Sequence, residues 1–223
     1  MQIIITSDGS HTIYLPEMDE QYHSVNGAVT ESKYVYIEKG YKFQTAESPT
    51  VFEVGFGTGL NCFLTALIAE NEKRPTLYYS IENFPLAKEI TNQLNFSQLL
   101  SNPDKQLFNK IHDCNWNEPV KISEYFKLKK IKADLTNFDF EGIEKIDVIY
   151  YDAFGPDKQP EMWTPLIFNN ISKSTAPNGV LVTYSAKGEV RRRFSACGFE
   201  MERLQGPPGK NQMLRGIKKV SKI

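Results

Sequence analysis

Residues 51–61 read VFEVGFGTGLN and residues 152–163 read DAFGPDKQPEMW. The first stretch sets Gly55, Gly57 and Gly59 at alternate positions between two apolar runs, with Glu53 two residues ahead of the first glycine. Glycine tolerates positive φ and lets a backbone pass close to a ligand, so this spacing suits a turn pressed against a bound small molecule. The third glycine comes one residue too early for G-x-G-x-x-G, which disfavours NAD and FAD, and no G-K-[ST] follows to make a nucleotide-phosphate loop. An acid at Glu53 suits a ligand carrying positive charge better than a pyrophosphate. In the second stretch Asp152 closes an apolar run and is followed by Phe154 and a proline-containing loop, a placement in which a carboxylate can accept a hydrogen bond from an amine.

Two further acids complete a ligand description. Glu82 ends the run LYYSIE, where a carboxylate binds ribose hydroxyls, and Asp134 in KADLTNF can accept from an exocyclic adenine amine. An adenosine with a ribose clamp and a cationic tail describes S-adenosyl-L-methionine. The expected cofactor set is Glu53, Gly55, Phe56, Gly57, Thr58, Gly59, Asn61, Glu82, Asp134 and Asp152. Each has a plainer alternative: a tight turn for the glycines, a solvated strand end for Glu82. Methyl transfer from a sulfonium is an in-line displacement by a neutral nucleophile, so positioning contributes most. Asp152 would orient the acceptor amine and stabilise its growing charge, with Phe154 packed against the acceptor and Trp163 walling the pocket. Plain core packing is the alternative for both aromatics.

These residues need a scaffold. TVFEV, LYYSIE, KIDVIYYD and GVLVTYS read as short buried strands, and CFLTALIAENEK, PLAKEITNQLNFSQLL, TPLIFNNISKST and KGEVRRRFSAC as helices, with Pro85 in the first turn of the second. Val120 to Lys130 alternates like a hairpin, and FEMERL with QMLRGIKK reads as a closing strand pair. Alternation of this kind implies a doubly wound, mostly parallel α/β sheet with an antiparallel edge. Ahead of it, QIIIT and HTIYL form a hairpin across DGS, and KYVYIEKG reads as a further strand ending at Gly40. The expected division is a β-rich extension over residues 1–45 and a methyltransferase domain over 46–223.

The bulk numbers exclude several classes. With 223 residues, 40% of them hydrophobic, the chain can bury one large core. Its formal net charge of -1 does not advertise nucleic acid or membrane. The charge is uneven: residues 1–50 hold seven acids against three lysines, and residues 186–223 hold ten basic residues against three glutamates. An anionic partner would meet the C-terminal end. Cys62, Cys114 and Cys197 are odd in number and lack C-x-x-C spacing, and no His, Cys or carboxylate cluster has metal-ligand spacing, so neither a disulfide framework nor a metal is expected. MQIIITSDGSHTIYLP has no basic n-region, and no apolar stretch approaches bilayer length, which fits a cytoplasmic protein without a membrane anchor.

VFEVGFGTGLN, SIENFPL, YYDAFGPDKQPEMW and GPPGKNQMLRG together resemble the methyltransferase module of the bacterial tRNA 5-methylaminomethyl-2-thiouridine biosynthesis enzymes, the MnmC type, from about Tyr22 to Gly216. The DAFGPDKQPEMW stretch is the specific part. The resemblance implies a class I methyltransferase fold and N-methylation, with S-adenosyl-L-methionine, of the aminomethyl group on C5 of the wobble uridine in the tRNA anticodon loop. By that pattern the glycine loop, Glu82 and Asp134 hold the cofactor, and Asp152 and Phe154 face the acceptor. Bifunctional members carry a flavin oxidase; no G-x-G-x-x-G occurs here, so no flavin is expected and the aminomethyl substrate would come by another route. Lys158 and Trp163 lie inside the specific stretch and are assigned to the acceptor side. Arg191, Arg192, Arg193 and Lys210 could hold phosphates near a flipped-out base, a solvated charged face being the alternative. In HSVNGAVTES, His23, Ser24 and Glu31 could close over cofactor or acceptor. His11 and His112 have no assigned role. An acceptor other than tRNA, a small amine or protein side chain, and a nonenzymatic adenosine- or RNA-binding module are the competing readings.

Overall fold

A computed structural model describes residues 1–99 and 104–220. Its centre is an eight-stranded sheet. The core strands are β4 (Thr50–Val54), β5 (Thr76–Glu82), β7 (Phe126–Lys132), β8 (Ile146–Tyr151) and β9 (Thr175–Thr183), flanked by β6 (Pro119–Lys121), β10 (Phe199–Gln205) and β11 (Gln212–Lys218). The order is β10-β11-β9-β8-β4-β5-β7-β6. Strands β7, β5, β4, β8 and β9 run parallel, while β6 pairs antiparallel with β7 and β11 antiparallel with both β9 and β10. This is the expected doubly wound sheet with an antiparallel edge, and β6 adds a second antiparallel edge on the other side. Because β5 lies on one side of β4 and β8 on the other, the strand order reverses at β4, and a crevice opens beyond its carboxyl end.

Both faces of the sheet are covered, which is why its strands read as continuous apolar runs. Along β8, Val148 and Tyr150 pack with α2 (Leu60–Glu72) on one face, while Ile149 and Tyr151 pack on the other with α6 (Pro165–Ser174) and α7 (Gly188–Ala196). On that second face Phe168 and Phe194 stack with centroids 3.8 Å apart. The hairpin over residues 120–130 is present as β6 and β7.

The N-terminal part is a three-stranded sheet of β1 (Gln2–Ile5), β2 (His11–Leu15) and β3 (Glu20–Gln21). KYVYIEKG is not a strand. The short helix α1 (Ala28–Ser32) runs into a π-helical stretch, Lys33–Tyr41, with Lys42 N donating to Ile37 O five residues back at 2.9 Å. The β-branched and aromatic content that suggested a strand is overridden by packing: Val35, Tyr36, Ile37 and Tyr41 are all buried, a wide helical face laid on the main sheet. At Gly40 the helix comes so close that a Cβ would sit 2.9 Å from Val182 Cγ2. The helix expected over PLAKEITNQLNFSQLL is also corrected. It is broken into α3 (Lys88–Thr91) and α4 (Phe96–Leu99), Pro85 precedes both, and Leu100 lies outside the described residues. Asn95 lies in the break: its side chain accepts from His11 N at 2.9 Å and donates to Gly9 O at 2.9 Å, tying this segment to the first hairpin. The remaining helix, α5 (Lys105–Asp113), is capped by Asp104, which accepts from Leu107 N at 2.8 Å.

Candidate active site

A cleft of about 980 Å³ opens at the carboxyl ends of β4, β5 and β8, roofed by residues of the N-terminal sheet and the segment after it. Its floor is the β4-to-α2 turn. Gly55 has φ 88, and a Cβ there would lie 3.0 Å from the backbone oxygen of Asp152; Gly57 has φ 48, and its Cβ would meet the Tyr22 ring at 3.0 Å. Side chains at these positions would be both strained and obstructed.

Of the expected residues, Gly55, Phe56, Gly57, Thr58, Asn61 and Glu82 line the cleft. So do Asp134, Asp152, Phe154, Glu31 and Lys210. Glu82 is held at the end of β5 by two backbone donors, Gly57 N to Oε2 at 3.1 Å and Phe84 N to Oε1 at 2.9 Å. Asp134 caps a 3-10 turn by accepting from Thr136 N at 2.9 Å, and its carboxylate is exposed. Thr58 Oγ1 and His23 Nε2 are 2.6 Å apart, and burial pushes the His23 imidazole down to about 4, so the ring is neutral near pH 7. Gly59 stands behind the turn as the residue preceding α2.

Asp152 follows β8 directly. The Tyr36 hydroxyl donates to its Oδ1, and Asn61 Nδ2 donates to its Oδ2 at 2.8 Å. Both donors favour the charged form, but burial outweighs them and pushes the carboxyl up to about 7. Phe154 faces the cleft in an edge contact with Tyr22, ring centroids 5.1 Å apart. Glu31, buried, accepts from Ser24 N at 2.9 Å and pairs with Lys210 Nζ at 2.6 Å.

Several of the expected residues do not line the cleft. Glu53 does not reach the cleft: it is still within β4, so its side chain is committed to a sheet face, on the same side as Val51 and beneath α2. There it is fully buried and accepts from Ser80 Oγ at 2.6 Å, and burial pushes it up to about 8. Trp163 is fully buried too, between Tyr151 and Phe168. It supports the acceptor loop from below by donating Nε1 to Phe154 O at 2.7 Å. Lys158 lies outside the cleft wall and donates to Met18 O at 2.8 Å. Arg191, Arg192 and Arg193 lie on α7 and do not line the cleft. Arg193 is committed internally, to Trp163 O and to Glu189, while Arg192 is exposed. Lys210 faces into the cleft and an acid, not outward toward phosphates.

The sequence reading missed Tyr36, Tyr22 and Tyr184. Tyr36 fixes Asp152 from 116 positions away; Tyr184 lines the cleft and donates its hydroxyl to Ala153 O at 2.9 Å. No local pattern marks them, because chain crossings bring them in. Among the described residues there is no group of three or more His, Cys, Asp or Glu able to hold a metal, and no helix long and apolar enough to cross a membrane.

The residues present fit S-adenosyl-L-methionine: a turn of three positive-φ glycines, a carboxylate fixed at the end of β5, and Asp134 beside it. Comparison with known proteins agrees. A protein from Aeromonas hydrophila, named tRNA 5-methylaminomethyl-2-thiouridine biosynthesis bifunctional protein MnmC, is 28% identical over 90% of this chain and 33% of its own length. A protein of the same name from Actinobacillus pleuropneumoniae serotype 5b is 30% identical over 96% of this chain and 35% of its own. The chain thus spans about one third of the length of the curated relatives it matches. The crystal structure of MNMC2 from Aquifex aeolicus superposes with a TM-score of 0.75 at 25% identity, covering 96% of this chain and 69% of that one. Residues 96–219, more than half of the chain, match the family described as S-adenosyl-L-methionine-dependent methyltransferase, and the chain belongs to that family.

Proposed function

We propose that this protein N-methylates the 5-aminomethyl group of the wobble uridine in the tRNA anticodon loop, in the cytoplasm, giving the 5-methylaminomethyl form. The observation that carries this is the Asp152 carboxylate, fixed by Tyr36 and Asn61 at the edge of the cofactor cleft, with Phe154 and Tyr22 as an aromatic wall beside it. The names of the relatives support the choice of acceptor.

Bound S-adenosyl-L-methionine supplies a methyl group on a positively charged sulfur. The backbone of Gly55 to Gly59, with Glu82 and Asp134, would hold it. Asp152 deals with the acceptor's proton. A primary amine has a pKa of roughly 10, so an ordinary carboxyl near 4 is mismatched to it by about 6 units. Burial raises Asp152 to about 7. That halves the mismatch to about 3 units, and at roughly 1.4 kcal/mol per unit it removes about 4 kcal/mol from the cost of freeing the nitrogen lone pair. Tyr36 and Asn61 keep both carboxylate oxygens aimed, so the amine meets a group that needs no reorganisation.

A second reading, a small amine as acceptor, is favoured by one observation: none of the three arginines on α7 reaches the cleft. The two separate in one experiment. Transfer RNA bearing 5-aminomethyl wobble uridine is incubated with the protein and methyl-labelled cofactor, digested to nucleosides and analysed by mass spectrometry. Label on the wobble nucleoside alone is the expected result; label on another nucleoside, or on none, refutes the proposal.

A further inference from the structure

The cleft contains a cation of its own. Lys210 Nζ lies 2.6 Å from Glu31 Oε1 and 4.0 Å above the centre of the Tyr184 ring, and all three residues line the same cleft as Asp152. The two groups that receive the ammonium are built in. The Glu31 side chain is 8% exposed, and its other oxygen is taken by Ser24 N at 2.9 Å. Tyr184 is anchored by its hydroxyl on Ala153 O at 2.9 Å, next to Asp152 in sequence. A buried carboxylate facing an aromatic surface recognises a primary ammonium group.

Lys210 is the movable partner of the three. It lies near the end of the loop 206–211 between β10 and β11, and its side chain is 30% exposed, so its ammonium has a route to solvent. The loop tip is seated on the turn that carries Ser24: a Cβ on Gly209 would lie 2.0 Å from Asn26 Nδ2. Loop position and the Glu31 contact are thus set by the same short segment, residues 24–31.

Resting on the reading of this cleft as an amine methyltransferase site, we infer that Glu31 and Tyr184 form the subsite for the acceptor's ammonium group, and that Lys210 fills it until the acceptor arrives. Two ammonium groups on one buried carboxylate repel each other across a few ångströms, so acceptor binding sends Lys210 outward. The exchange keeps the charge of the cleft constant, which makes it cheaper than adding a second cation. It also makes Glu31 a specificity device: an acceptor with a hydroxyl in place of the amine cannot replace the lysine's charge.

The probes are the nucleosides 5-aminomethyluridine and 5-hydroxymethyluridine, titrated into the protein loaded with S-adenosyl-L-homocysteine, which has no methyl to transfer. A self-occupant that fills a subsite nine-tenths of the time weakens a competitor about tenfold. Lys210→Met, which keeps an unbranched side chain over Tyr184, therefore lowers the dissociation constant of 5-aminomethyluridine by up to about tenfold and leaves that of 5-hydroxymethyluridine where it was. Glu31→Gln weakens 5-aminomethyluridine tenfold or more. In the unsubstituted protein, saturating 5-aminomethyluridine accelerates acylation of Lys210 by acetic anhydride, read by peptide mass mapping. Weaker or unchanged binding of 5-aminomethyluridine in Lys210→Met, or protection of Lys210 from acylation, overturns the inference. Failure of the tRNA labelling experiment with these nucleoside results intact removes the proposed tRNA acceptor and upholds the subsite.

Discussion

Replacing Asp152 with asparagine removes the charge from the cleft while changing the side chain's shape little. The Tyr36 hydroxyl can still donate to an amide oxygen, but Asn61 Nδ2, which now donates to a carboxylate oxygen at 2.8 Å, would face an NH2 group. Loss of a positioned proton acceptor typically costs 10²–10⁴-fold in rate, so a fall of about that size is expected in single-turnover methylation of 5-aminomethyl tRNA, with cofactor affinity changing little. The pH profile makes the test specific. With the carboxyl at about 7, roughly one tenth of it is ionised at pH 6 and roughly nine tenths at pH 8, so kcat/KM should climb about tenfold across that interval. The asparagine variant has no such group, so its profile should show no bend near pH 7 and should follow only the acceptor amine's own deprotonation, rising about tenfold per pH unit. A bend near pH 7 that survives in Asp152→Asn assigns the proton acceptance elsewhere and refutes the role given to Asp152.

Three other outcomes follow from the same geometry. Glu53 is fully buried and its pKa is raised from 4.5 to about 8, so folding favours its neutral form, and the associated stability is present below pH 4.5 and lost as pH rises through 8. Glu53→Gln should match the parent near pH 4.5 and exceed it above pH 8, by up to about 5 kcal/mol at roughly 1.4 kcal/mol per unit, in denaturant unfolding at the two pH values; a variant less stable at both would contradict this. Gly55→Ala puts a Cβ 3.0 Å from Asp152 O at φ 88 and should cost about 1–3 kcal/mol of stability together with cofactor binding, checked by thermal unfolding with and without cofactor. Arg192→Ala removes an exposed cation on α7 and, if α7 tracks the phosphate backbone, should weaken tRNA binding and shallow its salt dependence by about one phosphate contact, measured by filter binding over a salt series.

The central sheet was legible because both of its faces are covered. VFEV, YYSIE and DVIYY carry apolar residues at consecutive positions, and the glycines that end β4 announce the turn. What local pattern could not convey is which side chains tertiary packing recruits. KYVYIEKG has strand-like composition, yet Val35, Tyr36, Ile37 and Tyr41 gain more by lying as a helix on β8 and β9. Asn95 interrupts a helical pattern to serve the first hairpin. Most of the glycine turn, Glu82, Asp134 and Asp152 line the cleft because they sit at strand ends, where position along the chain and position at the cleft coincide. Glu53 lies two residues short of the first glycine and still within β4, which turns its carboxylate into the core. Trp163 and Arg193 were read as reaching the acceptor or its phosphates but instead secure Phe154 O and Trp163 O behind the loop.

In the proposed reaction the methyl donor lies across the Gly55–Gly59 turn with Asp152 beside it. Titration of S-adenosyl-L-methionine into the protein by isothermal calorimetry tests this directly. Saturable heat at one site per chain, abolished when Glu82 is replaced by alanine, is the predicted result. Absence of binding heat, or binding indifferent to Glu82, would contradict it.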